Sequence, residues 1–170
     1  MKAVIPWIFG VGAMISLFLI YQQKERKNLL RCKLSADICW VIHYLCLGAY
    51  GGAVPNFVGI FRELVFVRRG EKKWAAHWLW PVFFIAANLT LGLLTFDRPV
   101  NILPLTASAF VTVSLWLKNP KLTKIISVPV SLAFLAYDLV VGSWIGVVNE
   151  SIAILSLGIS FVKRERVKNP

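Results

Sequence analysis

Basic residues in this sequence come in bursts, and each burst closes an apolar run. Lys24, Arg26, Lys27, Arg31 and Lys33 follow the first run, and Arg68, Arg69, Lys72 and Lys73 follow the third. Lys118, Lys121 and Lys124 follow the fifth; Lys163, Arg164, Arg166 and Lys168 follow the last. This constrains the fold more than any motif, because Lys and Arg gather in cytoplasmic loops and set the orientation of membrane helices. The runs fall at about 4–21, 34–50, 53–67, 74–95, 100–117, 125–141 and 145–162. The stretch 34–67 divides at Gly48, Gly51, Gly52 and Pro55, which would be costly inside one long helix. With seven helices and the N-terminus outside, every burst is cytoplasmic, only Lys2 and Arg98 lie opposite, and Arg62 sits within helix 3 near its inner end. One helix more or fewer destroys that asymmetry.

The composition agrees. Of 170 residues, 58% are hydrophobic and 16% charged, with a mean hydropathy of +0.69, whereas a soluble domain has about a quarter of its residues charged. The net charge of +11 forms no stripe, so nucleic acid is not an expected partner. Lys2 ahead of an apolar run resembles a signal peptide, but the positive charge follows the run, which retains the segment as a first helix. Cys32, Cys39 and Cys46 are odd in number and seven apart, without a CxxC pair, so neither a disulfide framework nor a metal site is expected. Several runs fall short of the ~20 residues that span a typical bilayer, so local thinning or snorkelling of flanking Lys and Arg is expected.

An internal repeat accounts for the odd helix number. An offset of 94 pairs Lys24 with Lys118, Lys27 with Lys121, Leu45 with Leu139, Gly48 with Gly142, Gly52 with Gly146, and Tyr50 with Trp144. After a one-residue gap, Asn56 meets Asn149. The expected fold is one all-α transmembrane domain over 1–170, with seven transmembrane helices. Two parallel three-helix repeats, 4–69 and 100–164, are joined by a linker helix at 74–95.

Polar residues are then placed by depth below the outer glycine turns. His43 precedes its turn by five residues and Asn56 follows it by four; Tyr137 and Asp138 precede, and Asn149 and Glu150 follow, the second turn at similar distances. All should lie roughly 5–8 Å below the turns at 1.5 Å per residue. An ionisable group at a helix centre costs about 2.5–3.5 kcal/mol on insertion scales, and usually faces a bundle interior or a wet cavity. Trp40, His43, Tyr44, Asn56, Tyr137, Asp138, Asn149 and Glu150 are therefore the candidate lining of a solute cavity. The alternative is interhelical hydrogen bonding, with Asp138 and Glu150 reaching headgroup water. Ser35 and Asp37 read as caps at the start of helix 2, and Arg62 and Glu63 as a pair, or as snorkelling groups, near the inner face. Trp7, Trp74, Trp78, Trp80 and Trp144 read as an interfacial belt. No GxSxG, HExxH, P-loop or acidic catalytic cluster occurs. No enzymatic activity, cofactor or metal is expected.

The stretches DICWVIHYLCLGAYGGAVPN, NILPLTASAF and GSWIGVVNE, with Arg62 and Arg68, resemble the bacterial inner-membrane proteins of the YgjV type, over about residues 22–164. Tyr137 departs from that pattern, standing where a second histidine is expected. The resemblance implies a multi-pass protein of the bacterial inner membrane, similar in topology to SWEET and PQ-loop proteins, whose helix 3 and helix 7 asparagines line the cavity. Pro-Gln itself does not occur. Two functions fit: a carrier of a small polar solute by alternating access, or a non-transport scaffold or assembly protein. Either would have the lipid bilayer as partner, and a second copy of the chain is open as another.

Overall fold

Each apolar run holds one α-helix in the computed structural model, which describes residues 4–20, 23 and 25–168, with 120–121 and 160–168 as backbone alone. The charges of Lys2, Lys24, Lys121, Lys163, Arg164, Arg166 and Lys168 lie outside the described residues. The helices are α1 (Val4–Ile20), α2 (Arg26–Cys46), α3 (Tyr50–Arg68), α4 (Leu79–Leu94), α5 (Ile102–Leu117), α6 (Pro120–Val141) and α7 (Trp144–Lys168). There is no strand among the described residues.

Two boundaries differ from expectation for a shared reason. α2 starts at Arg26 and α6 at Pro120, well before their apolar cores. Lys, Arg and Leu are good helix formers, so the basic segment continues the helix. The fourth run is not one helix: Lys73–Ala76 forms a short 3₁₀ turn before α4. Pro6, Pro81 and Pro104 are each the third residue of their helix, where a missing N–H removes no helical hydrogen bond.

Pro99–Leu117 and Leu122–Val141 are long and apolar enough to cross a membrane, while Val4–Ile20, Leu79–Leu94 and Trp144–Ile159 are apolar but shorter. α2 and α3 have the length, 21 and 19 residues, but carry Lys33, Asp37, Arg62 and Glu63. Those charges lie on the inside. Asp37, Arg62, Glu63, His43, Asn88 and Asp138 are buried, whereas Ile8, Phe18, Phe61, Phe83, Leu94 and Leu155 are exposed. A polar interior beneath an apolar surface is the distribution expected when the solvent is lipid. Four of the belt tryptophans, Trp7, Trp74, Trp78 and Trp144, are exposed, and Trp80 donates its indole N–H to the Trp74 carbonyl at 2.8 Å.

α2 packs on both α1 and α3, and α6 on both α5 and α7. α3 lies against α5, α1 against α7, and α4 against α3 and α5. Apart from α4, this pattern is unchanged when α1, α2 and α3 are exchanged for α5, α6 and α7. Gly48 and Gly142, 94 residues apart, end α2 and α6 with φ of +67° and +74°, a left-handed conformation that glycine adopts freely.

The two kinds of glycine separate in a substitution series. Nothing lies within 4 Å of a methyl added at Gly48 or Gly142, so Gly48→Ala and Gly142→Ala should each cost about 1–2 kcal/mol through the backbone alone. A methyl at Gly52 would stand 2.9 Å from the rings of Tyr44 and Tyr137, so Gly52→Ala should cost about 1–3 kcal/mol by overpacking. Thermal unfolding of the detergent-solubilised protein measures all three; wild-type stability in Gly48→Ala and Gly142→Ala would contradict the left-handed turns.

Candidate functional site

The C-terminal ends of α2 and α6 bring together most of the predicted polar residues. Trp40 is buried, stacked on Tyr44 with ring centroids 5.5 Å apart and edge-on to His43 at 5.2 Å. His43 is buried, its Nδ1 2.7 Å from the Pro6 carbonyl of α1 and its Nε2 2.8 Å from Ser143 Oγ in the α6–α7 turn. Gly10 makes room for it, since a methyl there would approach His43 Nδ1 to 3.0 Å. Tyr44 donates its hydroxyl proton to Asp138 Oδ1 at 2.8 Å. Tyr137, also buried, accepts the backbone N–H of Gly52 at 2.7 Å and meets the Tyr44 ring edge-on at 5.9 Å.

The reciprocity is specific. Tyr137 stands 94 residues after His43, and Asp138 stands 94 residues after Tyr44. His43 reaches from α2 into the α6–α7 turn, and Tyr137 reaches from α6 to Gly52 at the start of α3. Tyr44 and Asp138, the matched pair, bond to each other.

The asparagines behave differently. Asn56 donates to the Gly52 carbonyl of its own helix at 2.7 Å. Asn149 donates to Glu150 Oε1 at 2.9 Å, and Ser131 hydrogen-bonds the same carboxylate. A cavity of about 420 Å³ opens between α1 and the α2–α3 and α6–α7 turns, lined by Pro6, Trp7, His43, Cys46, Leu47 and Ile145 among others. Of the eight predicted residues His43 alone lines it; Trp40, Tyr44, Tyr137 and Asp138 are packed behind it.

A second polar assembly lies deeper, and sequence reasoning missed its character. Arg62 grips Glu63 through Nε at 2.9 Å and Nη2 at 3.1 Å, and donates through Nη1 to Thr112 Oγ1 of α5 at 2.9 Å. Asp37 Oδ2 lies 3.9 Å from Arg62 Nη2, and Asp37 Oδ1 pairs with Lys33 one turn away. Asp37 is thus no cap: with α2 starting at Arg26, it is the twelfth residue of the helix and is buried. Ser35 likewise lies mid-helix, 3.3 Å from Ser16 of α1. Arg62 and Glu63 pair, as one of the sequence readings had it, but both are buried instead of snorkelling. The i, i+4 spacing of Lys33 and Asp37 was the available signal, hidden because the segment reads as a loop. At the C-terminal end of α5, Arg26 donates to the Leu115 carbonyl at 2.5 Å, and Arg69 donates to the Trp116 carbonyl while lying 3.5 Å above that indole. These arginines cover the last carbonyls of α5. In the turn after α3, Glu71 faces Lys27 of α2, which holds its carboxyl below the ordinary carboxylate range.

Breaking the inner cluster has a defined cost. Arg62→Met leaves Glu63 and Asp37 short of a partner and should destabilise the protein by about 3–5 kcal/mol. Adding Glu63→Leu removes one of those charges and leaves Lys33 with Asp37, so the double variant should melt above the single one. A double variant that melts lower still would contradict this pairing.

No curated protein and no solved structure matches the chain. A family model described as "Imp-YgjV: Bacterial inner membrane protein" matches residues 4–168. The polar interior, the apolar surface and this nearly full-length match together show that the chain belongs to the YgjV family of bacterial inner-membrane proteins.

Proposed function

We propose that the chain crosses the inner membrane seven times as two parallel three-helix units joined by α4, with the N-terminus outside and the C-terminus cytoplasmic. In this reading it carries a small polar solute by rocking one unit against the other, as carriers built from parallel repeats do. The pattern of helix neighbours, unchanged when the two sets of three helices are exchanged, and the matched left-handed glycines support the two units. The distribution of Lys and Arg supports the orientation.

The observation that carries the reading is the chemistry between the units. His43 to Ser143, Tyr44 to Asp138, Tyr137 to Gly52 and Arg62 to Thr112 are all hydrogen bonds. Such contacts can be exchanged for water when the units part, whereas an interface of interlocked apolar side chains has no substitute partner. The cavity at Trp7 and Trp144 is open towards the outer turns, and Arg26, Arg62 and Arg69 tie α5 to α2 and α3 at the other end. This arrangement corresponds to a carrier closed on its cytoplasmic side.

One observation favours the second reading, a membrane scaffold: behind His43 the interior is filled, and Asn56 is satisfied within its own helix. Thiol labelling separates the two, because thiolate forms only where water reaches. A membrane-impermeant maleimide should label native Cys46, which is exposed, from outside the cell. In a variant lacking Cys32, Cys39 and Cys46, Asn56→Cys and Asn149→Cys should label slowly, at the rate at which the units part. Silence at both positions in intact cells and inverted vesicles would establish the scaffold; labelling of Cys46 only from the cytoplasmic side would overturn the orientation.

A further inference from the structure

The cavity ends on His43, and buried polar groups continue inward from it at Ser143, Asp138 and Tyr44. Pro6 offers His43 a carbonyl, which can only accept, so Nδ1 carries a hydrogen. In the neutral imidazole Nε2 is then an acceptor, and the Ser143 hydroxyl must give it its one proton. The Asp138 carboxylate lies beside Ser143, since a methyl at Gly146 would stand 2.3 Å from Asp138 Oδ2 and 2.6 Å from Ser143 Oγ, and towards that carboxylate Ser143 can now only accept. Asp138 Oδ1 already receives the Tyr44 proton, and Oδ2 is buried with no hydrogen-bond partner of good geometry among the described residues. A carboxylate oxygen in that position is costly. A proton on Oδ2, on the side of Ser143 Oγ, neutralises the carboxylate and relieves that cost.

The groups facing this chain favour that arrangement. Tyr44 from α2, Tyr137 beside it, Ser143 from the turn and Glu150 from α7 act on Asp138, while Trp40, Tyr44 and the Pro6 carbonyl surround His43. None is a cation. Transfer along the chain moves the Oδ2 proton to Ser143 Oγ as the Ser143 proton passes to His43 Nε2, leaving an imidazolium and a carboxylate at unchanged net charge. Both ends are buried, and charge separation in a low dielectric without a compensating ion is unfavourable, so the neutral pair is the resting state. The serine stands between imidazole and carboxyl, unlike a nucleophilic triad in which the histidine is central.

We infer that His43, Ser143 and Asp138 form a proton-binding site that holds one shared proton, resident on Asp138 and exchanged with water through the outer cavity at His43. Its use as the coupling element rests on the carrier reading above; the site itself does not.

Infrared difference spectroscopy on the purified full-length protein, without any solute, tests the site independently of transport. Wild type at neutral pH should show the carbonyl stretch of a protonated carboxylic acid that Asp138→Asn removes and Glu150→Gln leaves. Tyr44→Phe, which deletes only the bond to Oδ1, should shift that band to higher frequency without abolishing it, and so tests the assignment if Asp138→Asn fails to fold. In a variant lacking Cys32 and Cys39, a bulky maleimide on Cys46 should slow the deuterium shift of the band several-fold. A band that disappears in Glu150→Gln, or that ignores Tyr44→Phe, would overturn the assignment to Asp138. An exchange rate indifferent to Cys46 modification would overturn the entry route.

Discussion

The hydrogen bond from Tyr44 to Asp138 is the contact on which the rest of the interior depends. The two residues occupy matching positions, 94 apart, and in a pair of units related by a two-fold axis matching positions touch each other only on that axis. Under the proposed arrangement of two units, the bond lies on that axis. The glycines follow from it. Gly52 lies against the rings of Tyr44 and Tyr137, and Gly146, its match, lies against Asp138 and Ser143. Neither site has room for a Cβ, so α3 and α7 can approach the axis only as glycine.

Around this contact the usual arrangement of a soluble protein is inverted. Large apolar side chains face outward along all the helices, and the interior holds two polar levels: the aromatic and hydrogen-bonded level at His43 and Tyr44, and the charged level at Lys33, Asp37, Arg62 and Glu63. The deeper level brings two cations and two anions together, so its charges cancel within the cluster. Cancellation makes the assembly tolerable in lipid, but ion pairs so buried seldom add net stability over apolar packing. Their contribution is specificity: Arg62 ties α3 to α5 through Thr112 at one register only.

Much of this was legible in the sequence, for physical reasons. Helices were readable because apolar runs and basic bursts alternate, and both outer turns because glycine is the residue that enters the left-handed region without strain. His43, Tyr44 and Asp138 stood out as polar groups at one depth. What escaped was partner choice. Ser143 looks like an ordinary turn residue beside Gly142, and only three-dimensional packing brings it to His43. Asp37 looked like a cap because the helix start was placed after the basic segment, when Lys and Arg in fact extend α2 upstream. Asn56 was expected to face the cavity, yet the nearest acceptor for its amide is one turn away in its own helix.

The central claim is that the two halves of the chain meet through Tyr44 and Asp138, and a double-mutant cycle measures that contact directly. Stability in detergent would be determined for Tyr44→Phe, Asp138→Asn and the double variant. The bond predicts a favourable coupling of about 0.6 kcal/mol, the average for hydrogen bonds inside a membrane protein, and up to about 1.7 kcal/mol. Additive effects, with no coupling between the two sites, would contradict the contact and with it the placement of the two units about a common axis.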